Sequence, residues 1–377
     1  MRFLHTADWH LGRSFHGASL IDAQAAWVDW LVDTARESRP DAVLVSGDVY
    51  DRALPPVDAV RLADDALKRL VEVAPVVMIS GNHDSATRLG FGAGMFADAG
   101  LHLRTDVSQI GDPVVVGQAA IYGIPYLEPD VARPLLGVEA RGHGPVMAAA
   151  MERVRADLAT RPNVTRAVVL AHAFVAGGAE SSSERDLAVG GAASIPGSIF
   201  AGVDYVALGH LHAPQRVGGR ARYAGSPVAF SFSEAGHAKS VALVDLDGAV
   251  PAVELLPCPV ARPLAVLRGE LETLLADPAL TGAEDAWVQV TLTDAARPAE
   301  AMERLRARFP HAVVLAFEPS GVVARSEESY AVRLRGLDDR ELAAAFVEDV
   351  RGAGPSAAEQ RLLDDALSAH RVAEAVS

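Results

Sequence analysis

The sequence predicts an α/β protein of layered sheets flanked by helices, followed by a small α+β unit and a C-terminal pair of helices. Three observations carry this. Over residues 1–250, short apolar runs alternate with amphipathic stretches, and the later part of that span is rich in strand-like runs. Near residue 258 the pattern is interrupted by Pro257, Pro259 and Pro263. A polar stretch over 321–335 then sets the last two amphipathic segments apart.

The elements follow in order. "RFLHTAD" reads as a strand. "DAQAAWVDWLVDTARES" reads as a helix with Ala23, Trp27, Trp30 and Leu31 on one face. "DAVLVSGD" is a buried strand, "PPVDAVRLADDALKRLVE" a helix opened by proline, and "PVVMIS" the next strand. "AAIYGI", "RAVVLAHA", "DYVALGH", "RYAGS" and "KSVALVDL" are further strands. Past the prolines, "PLAVLRG", "AWVQVTLTD" and "AVVLAFEP" read as strands and "AEAMERLRARF" as a helix. Asp338 with Glu341, and Ser356 with Glu359, have the spacing of capping boxes, and "RGAGPS" separates the two helices they start. Leu337 and Leu342 are spaced as a hydrophobic staple. The expected divisions are 1–257, 258–320, a linker over 321–335, and the helix pair 336–377.

Half of the 377 residues are hydrophobic and 22% are charged, which supports a packed core and excludes a disordered chain. The opening "MRFLHTADWHLG" lacks the roughly 7–15 apolar residues of a signal peptide core. No run approaches the ~20 apolar residues of a membrane span. Cys258 is the single cysteine, so neither an internal disulfide nor a cysteine-rich zinc site is expected. A cytoplasmic protein without a membrane segment is expected. The formal net charge of −15 argues against holding nucleic acid on a broad basic surface. Bound metal ions or a basic partner would have to supply positive charge.

The chemistry lies in five segments, each just after a strand-like run. They are "TADWH" (Asp8, His10), "SGDVYD" (Asp48, Asp51), "SGNHD" (Asn82, His83, Asp84), "LAHAF" (His172) and "LGHLH" (His210, His212). Singly each is weak. His172 alone is most simply a partly buried core histidine, and Gly-Asn-His-Asp alone a turn. Five such segments at five strand ends are not explained that way. Glycines beside the ligand types in three of them allow close backbone approach. Imidazoles, carboxylates and one amide without thiolate suit Mn, Fe or Zn. Seven such groups suffice for two ions if one carboxylate bridges, an arrangement that clamps both oxygens of an in-line phosphoryl displacement.

These segments resemble the signature blocks of the calcineurin-like metallophosphoesterases. "LGRSFHG", "GDVYDRALPP", "HAFVAGGAESSSERDLAVGG", "ALGHLHAPQ" and "YAGSPVAFSFSE" further resemble the nuclease subunits of SbcCD-type complexes, over most of residues 1–250 and more loosely beyond. The resemblance implies a β-sandwich flanked by helices, a small α+β capping domain and a C-terminal helix pair. It implies that Asp8, His10 and His212 hold one ion, that Asn82, His172 and His210 hold the other, and that Asp48 bridges. His83 then faces the substrate phosphate as acid or transition-state stabiliser. Asp84 is expected to orient His83 by accepting its ring N–H. For Arg13 and His16, in "LGRSFHG", a role in positioning DNA and an ordinary solvated loop are both open. Asp51 stands at a position that resembles one where related nucleases carry a histidine; a role in the site and a plain turn or cap role are both open.

The resemblance also implies two Mn²⁺ ions, with Mg²⁺ or another divalent ion as substitute. The implied activities are 3′→5′ exonuclease action on duplex DNA and endonuclease action on single strands and hairpins, in repair, recombination and replication. The implied partners are DNA, an SbcC-type ATPase docked on the C-terminal helices, and a second copy of the chain in a homodimer. For the helix "VDAVRLADDALKRL", a homodimer contact and a plain core face are both open. Two other functions stay open as well: a phosphodiesterase for small molecules, and a mainly DNA-tethering scaffold. An intact ligand set argues against the second.

Overall fold

The computed structural model describes residues 1–184, 194–320 and 337–376. The linker expected over 321–335 lies outside these residues. The chain separates into two compact units, Met1–Leu264 and Ala265–Ser377.

The first unit contains, in order, β1 (Arg2–Thr6), a small hairpin of β2 (Ser14–Phe15) and β3 (Ala18–Ser19), α1 (Ile21–Ser38), β4 (Ala42–Ser46) and α2 (Val57–Val71). Next come β5 (Val76–Ile79), the short α3 (Ala86–Leu89) and α4 (Ala93–Phe96), β6 (Leu101–Arg104), β7 (Val114–Val116) and β8 (Ala119–Ile124). Then follow α5 (Pro129–Leu136), α6 (His143–Leu158), β9 (Arg166–His172), β10 (Tyr205–Gly209), β11 (Gln215–Val217), β12 (Ala221–Tyr223), β13 (Ser240–Asp245) and β14 (Ala252–Pro257). One six-stranded sheet runs β14-β13-β1-β4-β5-β6 and a second runs β11-β12-β10-β9-β8-β7. Within them β1, β4, β5 and β6 are mutually parallel, as are β8, β9, β10 and β12.

Side-chain alternation explains the layering. On the first sheet Leu4, Val43, Val45, Val76 and Met78 point to one side, where they pack with Trp27, Leu31, Ala63 and Leu70 of α1 and α2. Phe3, Leu44, Val77 and Ile79 point to the other side and meet Val168, Leu170, Tyr205 and Ala207 of the second sheet. Val169, Ala171, Val206 and Leu208 face away again, onto Val146, Met147, Ala150, Met151 and Val154 of α6. Strands buried on both faces read as continuous apolar runs, and a period of two feeds two cores from each. The result is a helix–sheet–sheet–helix sandwich. Each fully buried large side chain contributes about 1.5–3 kcal/mol.

One polar chain crosses the layer between the sheets. Tyr205 OH donates to His5 Nδ1 (2.9 Å), His5 Nε2–H donates to Ser46 Oγ (3.1 Å), and Ser46 Oγ–H donates to the Ala207 carbonyl (2.9 Å). Burial, and secondarily the Arg222 charge, push the His5 imidazole down to about 3.

Two sequence expectations shift. The buried face of α1 is Gln24, Trp27, Val28, Leu31, Val32 and Ala35, rotated from the expected one, so Ala23 and Trp30 sit at its margin. Helices α5 and α6 are additions to the predicted elements. Helix α6 carries Ala148 and Ala149 beside its apolar stripe, which blurs the periodicity.

The second unit holds β15 (Leu264–Gly269), α7 (Leu271–Ala276), β16 (Trp287–Leu292), α8 (Ala301–Arg308) and β17 (Ala312–Phe317), with sheet order β15-β16-β17. Leu271, Leu274, Val288, Val290, Leu305 and Phe309 form its core. Two further helices span Asp339–Arg351 and Ala357–Val376. Asp338 and Glu341 form the expected capping box, and Ser356 and Glu359 bond reciprocally in the same way. Phe346 and Leu362 remain 60% and 69% exposed. Among the described residues, no helix is long and apolar enough to cross a membrane.

Candidate metal centre

All five ligand-bearing segments leave the carboxyl ends of parallel strands: β1, β4 and β5 in the first sheet, β9 and β10 in the second. The strand ends of an α/β scaffold gather side chains from distant parts of the chain. Glycine makes the approach close enough. A Cβ on Gly47 (φ +88°) would lie 2.6 Å from His172 Nδ1, one on Gly81 would collide with the Asp48 carboxylate, and one on Gly209 with the Ser46 carbonyl. The backbone is left-handed at Asp8 (φ 54°), His10 (43°) and Asp48 (50°), and His210 has φ 109°. Such conformations cost about 1–3 kcal/mol each and persist where the surrounding structure over-determines them.

Ligand atoms of Asp8, His10 and His212 converge within 4.8 Å of one another. The same holds for Asp8, Asp48 and His172, and for His10, Asp48 and His83. Asp48 Oδ2 lies 3.5 Å from both His10 Nε2 and His172 Nε2, midway between the two halves of the site. Asn82 Oδ1 is 2.8 Å from His172 Nε2. The His210 ring lies 5.5 Å from that of His172, and its amide donates to Asp8 Oδ1 (2.9 Å). Thus the structure brings all seven expected ligands to one place, with His210 at its margin.

The donor set fits cations. His172 Nδ1–H donates to the Ser46 carbonyl (2.9 Å), so its Nε2 lone pair and the Asn82 carbonyl oxygen, both acceptors, face each other. His10 Nε2 and His212 Nε2 point at one another across 3.1 Å, which needs one shared proton or a cation. His10 Nδ1 and Asn82 Nδ2 are buried with no hydrogen-bond partner. The electrostatics agree. Burial, then the Asp48 charge, raise Asp8 well above the ordinary carboxylate range, and burial raises Asp48 to about 6. Burial holds His172 down to about 4 and pushes His10 and His210 well below the ordinary imidazole range. Neutral imidazoles beside carboxylates that ionise reluctantly are what a buried site shows when a positive charge is needed to balance it.

The arrangement around His83 corrects one expectation. Asp84 does not accept from the His83 ring. Its carboxylate accepts from the backbone N–H of Gly81 (2.9 Å), Val49 (3.1 Å) and Tyr50 (2.9 Å). The His83 ring is held instead by the Asp51 carbonyl, 2.8 Å from Nδ1. Neighbours on a tight loop point in different directions, and Asp84 folds back on its own turn. It ties the loop carrying Asp48 to the loop carrying Asn82 and His83. Burial, then the Asp48 charge, raise Asp84 to about 6. Asp51 has a further contact: its Oδ1 lies 3.8 Å from His10 Nδ1 and 3.6 Å from Arg13 Nε.

Arg13 is turned inward. It stacks over the Phe230 ring (4.8 Å) and donates to the Ser183 carbonyl (2.9 Å). His16 is exposed at the β2–β3 turn, beside Phe15 and Phe232. Ser183, Glu184 and Glu234, which the ligand pattern does not single out, join the site; they lie in two of the stretches that carry the family resemblance, "HAFVAGGAESSSERDLAVGG" and "YAGSPVAFSFSE". Glu184 Oε1 accepts from the His212 amide (2.8 Å), and Ser183 Oγ lies 2.7 Å from His212 Nδ1.

A helix–sheet–sheet–helix sandwich with clustered His, Asp and Asn at its strand ends is a scaffold for metal-assisted attack on phosphoesters. Residues 1–214 match the calcineurin-like phosphoesterase family, more than half of the chain, and the chain belongs to that family of metal-dependent phosphoester hydrolases. Residues 260–351 match the type 5 capsule protein repressor C-terminal domain, SbcD_C. The crystal structure of TT1561 from Thermus thermophilus aligns with 67% of this chain and 98% of its own length, at 14% identity and a TM-score of 0.41. At that level the fold assignment rests on the sheets and the family match.

Proposed function

We propose that this chain is a DNA nuclease subunit of the SbcD type. It is a 3′→5′ exonuclease on duplex ends and an endonuclease on single strands and hairpins, acting with an SbcC-type ATPase in DNA end processing. The observation that carries this reading is the combination in one chain of a metallophosphoesterase site with a C-terminal region matching SbcD_C. In this reading Mn²⁺ is the working ion, Mg²⁺ or another divalent ion a substitute, and the setting cytoplasmic.

Asp8, His10 and His212 would hold one ion, Asn82, His172 and His210 the other, with Asp48 between them. Two divalent ions so held activate water and carry positive charge along the line of phosphoryl displacement. The Asp51 carbonyl accepts from His83 Nδ1–H and leaves Nε2 free; in the imidazolium form Nε2–H is the proton that would pass to the leaving oxygen, leaving the neutral Nδ1–H imidazole. Two surfaces support partners. Val60, Phe91 (77% exposed) and Phe96 line one apolar recess on the first unit, suited to a homodimer. Phe346, Val350 and Leu362 are exposed on the C-terminal helices, suited to the ATPase.

The test is cleavage by purified chain with Mn²⁺ of linear duplex, a DNA hairpin and bis(p-nitrophenyl) phosphate, with and without the ATPase. The reading expects cleavage of both DNAs and ATP stimulation on duplex ends. A chain lacking 336–377 should keep basal activity on short single strands and lose co-purification with the ATPase. Hydrolysis of the small diester with no cleavage of either DNA would overturn it.

A further inference from the structure

Beside the converging ligands the chain buries an ion pair that the reading above does not use. Glu234 and Lys239 are both buried and bonded to each other. Lys239 Nζ also donates to Ser226 Oγ (2.8 Å) and to the His212 carbonyl (3.0 Å). Ser183 Oγ stands between this pair and the imidazole, bonded to Glu234 Oε1 and 2.7 Å from His212 Nδ1. The Phe230 amide adds a donor to the same Glu234 oxygen (3.2 Å).

Valence fixes the direction of each bond. A carboxylate facing an ammonium only accepts, and a serine hydroxyl has one proton to give. Ser183 therefore donates to Glu234, and its oxygen accepts from His212 Nδ1–H. The lone pair of His212 is then on Nε2, the nitrogen 3.1 Å from His10 Nε2. A buried ion pair is no better for stability than a well-packed apolar pair of similar volume, so space-filling does not account for it.

We propose that Ser183 and Glu234, with Lys239 as counter-charge, are positioning residues that hold His212 in its Nδ1–H tautomer and aim Nε2 into the metal centre. This rests on the metal-centre reading. The relay is hydroxyl-bridged, and it links the loop after β9 and the segment between β12 and β13 to the ligand loop after β10. His212 is thereby prepared as a ligand before any ion arrives.

The test uses the full chain and Ser183→Ala. Imidazole ¹⁵N shifts of the metal-free protein report the tautomer, with His212→Gln assigning the signals. Calorimetric titration with Mn²⁺ reports each site. In the wild type His212 should be Nδ1–H. In Ser183→Ala the tautomers should mix, and one of two Mn²⁺ sites should weaken about 10–100-fold while the other changes little. If that variant does not fold, Glu234→Gln with Lys239→Met removes both charges together, and the same losses are expected. A folded variant with unchanged tautomer and unchanged affinities overturns the proposal. A wild type that takes up no Mn²⁺ overturns the metal-centre reading instead, and the tautomer signal still decides the relay.

Discussion

Replacing Asp84 by alanine should damage the fold rather than the acid. The Asp84 carboxylate accepts three backbone N–H groups, from Gly81, Val49 and Tyr50, at 2.9–3.1 Å. Each buried donor left without a partner costs about 1–3 kcal/mol, and water entering the space offsets part of the sum. Asp84→Ala should therefore lose about 3–5 kcal/mol. At roughly 2–4 °C per kcal/mol for a domain of this size, the melting temperature should fall by about 6–20 °C. Asp84→Asn keeps one acceptor oxygen, enough for two of the three N–H groups, and sets its NH2 against the third, so it should lose about 1–3 kcal/mol, less than alanine. The assay is urea and thermal unfolding of the metal-free proteins, with Mn²⁺-dependent diester hydrolysis measured alongside at several pH values. The opposite pattern would refute the reasoning. If Asp84→Ala melts like wild type but turns over slowly with a displaced pH profile, Asp84 acts on His83 and the backbone clamp is secondary.

Three further outcomes are expected. His83→Gln should bind two Mn²⁺ per chain as wild type does and lose about 10²–10⁴-fold in turnover; metal lost in step with activity would make His83 a ligand, which its convergence with His10 and Asp48 allows. Asp48→Asn should weaken both sites in calorimetry, since Oδ2 is 3.5 Å from an imidazole of each half, and one intact tight site would remove the bridging role. His5 sits at about 3 against an ordinary 6.5. Its contribution is whole above pH 6.5 and is lost as pH falls towards 3, about 3 kcal/mol of it by pH 4.5. His5→Gln should flatten that part of the metal-free stability curve, and an unchanged slope would mean His5 is not held neutral.

The gathering of the seven candidate side chains is legible in the sequence because each follows an apolar run and is of a ligand type, two properties that adjacency in sequence preserves. The run of Val43, Leu44 and Val45 makes the strands legible for the same reason. Asp84 misleads because it follows His83 in the chain, and chain neighbours on a turn do not share a direction. Ser183 and Glu234 lie in stretches that mark the family resemblance, but their roles are not legible there because they rest on contacts with His212, distant in the chain. The inward turn of Arg13 depends on Phe230, a residue far along the chain, so no reading of "LGRSFHG" alone finds it.

The strand order has a consequence for biosynthesis. β1 is flanked by β4 on one side and, on the other, by β13, which pairs Arg2 with Asp245. Every strand of the second sheet is translated before β13 exists. A chain growing on the ribosome thus carries an open first sheet until residue 245 has emerged, and lacks His210 and His212 until shortly before. Release before residue 210 yields a polypeptide with unpaired strand edges and at most five of the seven candidate ligands, Asp8, His10, Asp48, Asn82 and His172. The late place of His210 and His212 in the chain thus withholds phosphoester hydrolysis from shorter copies until most of the first unit has been made.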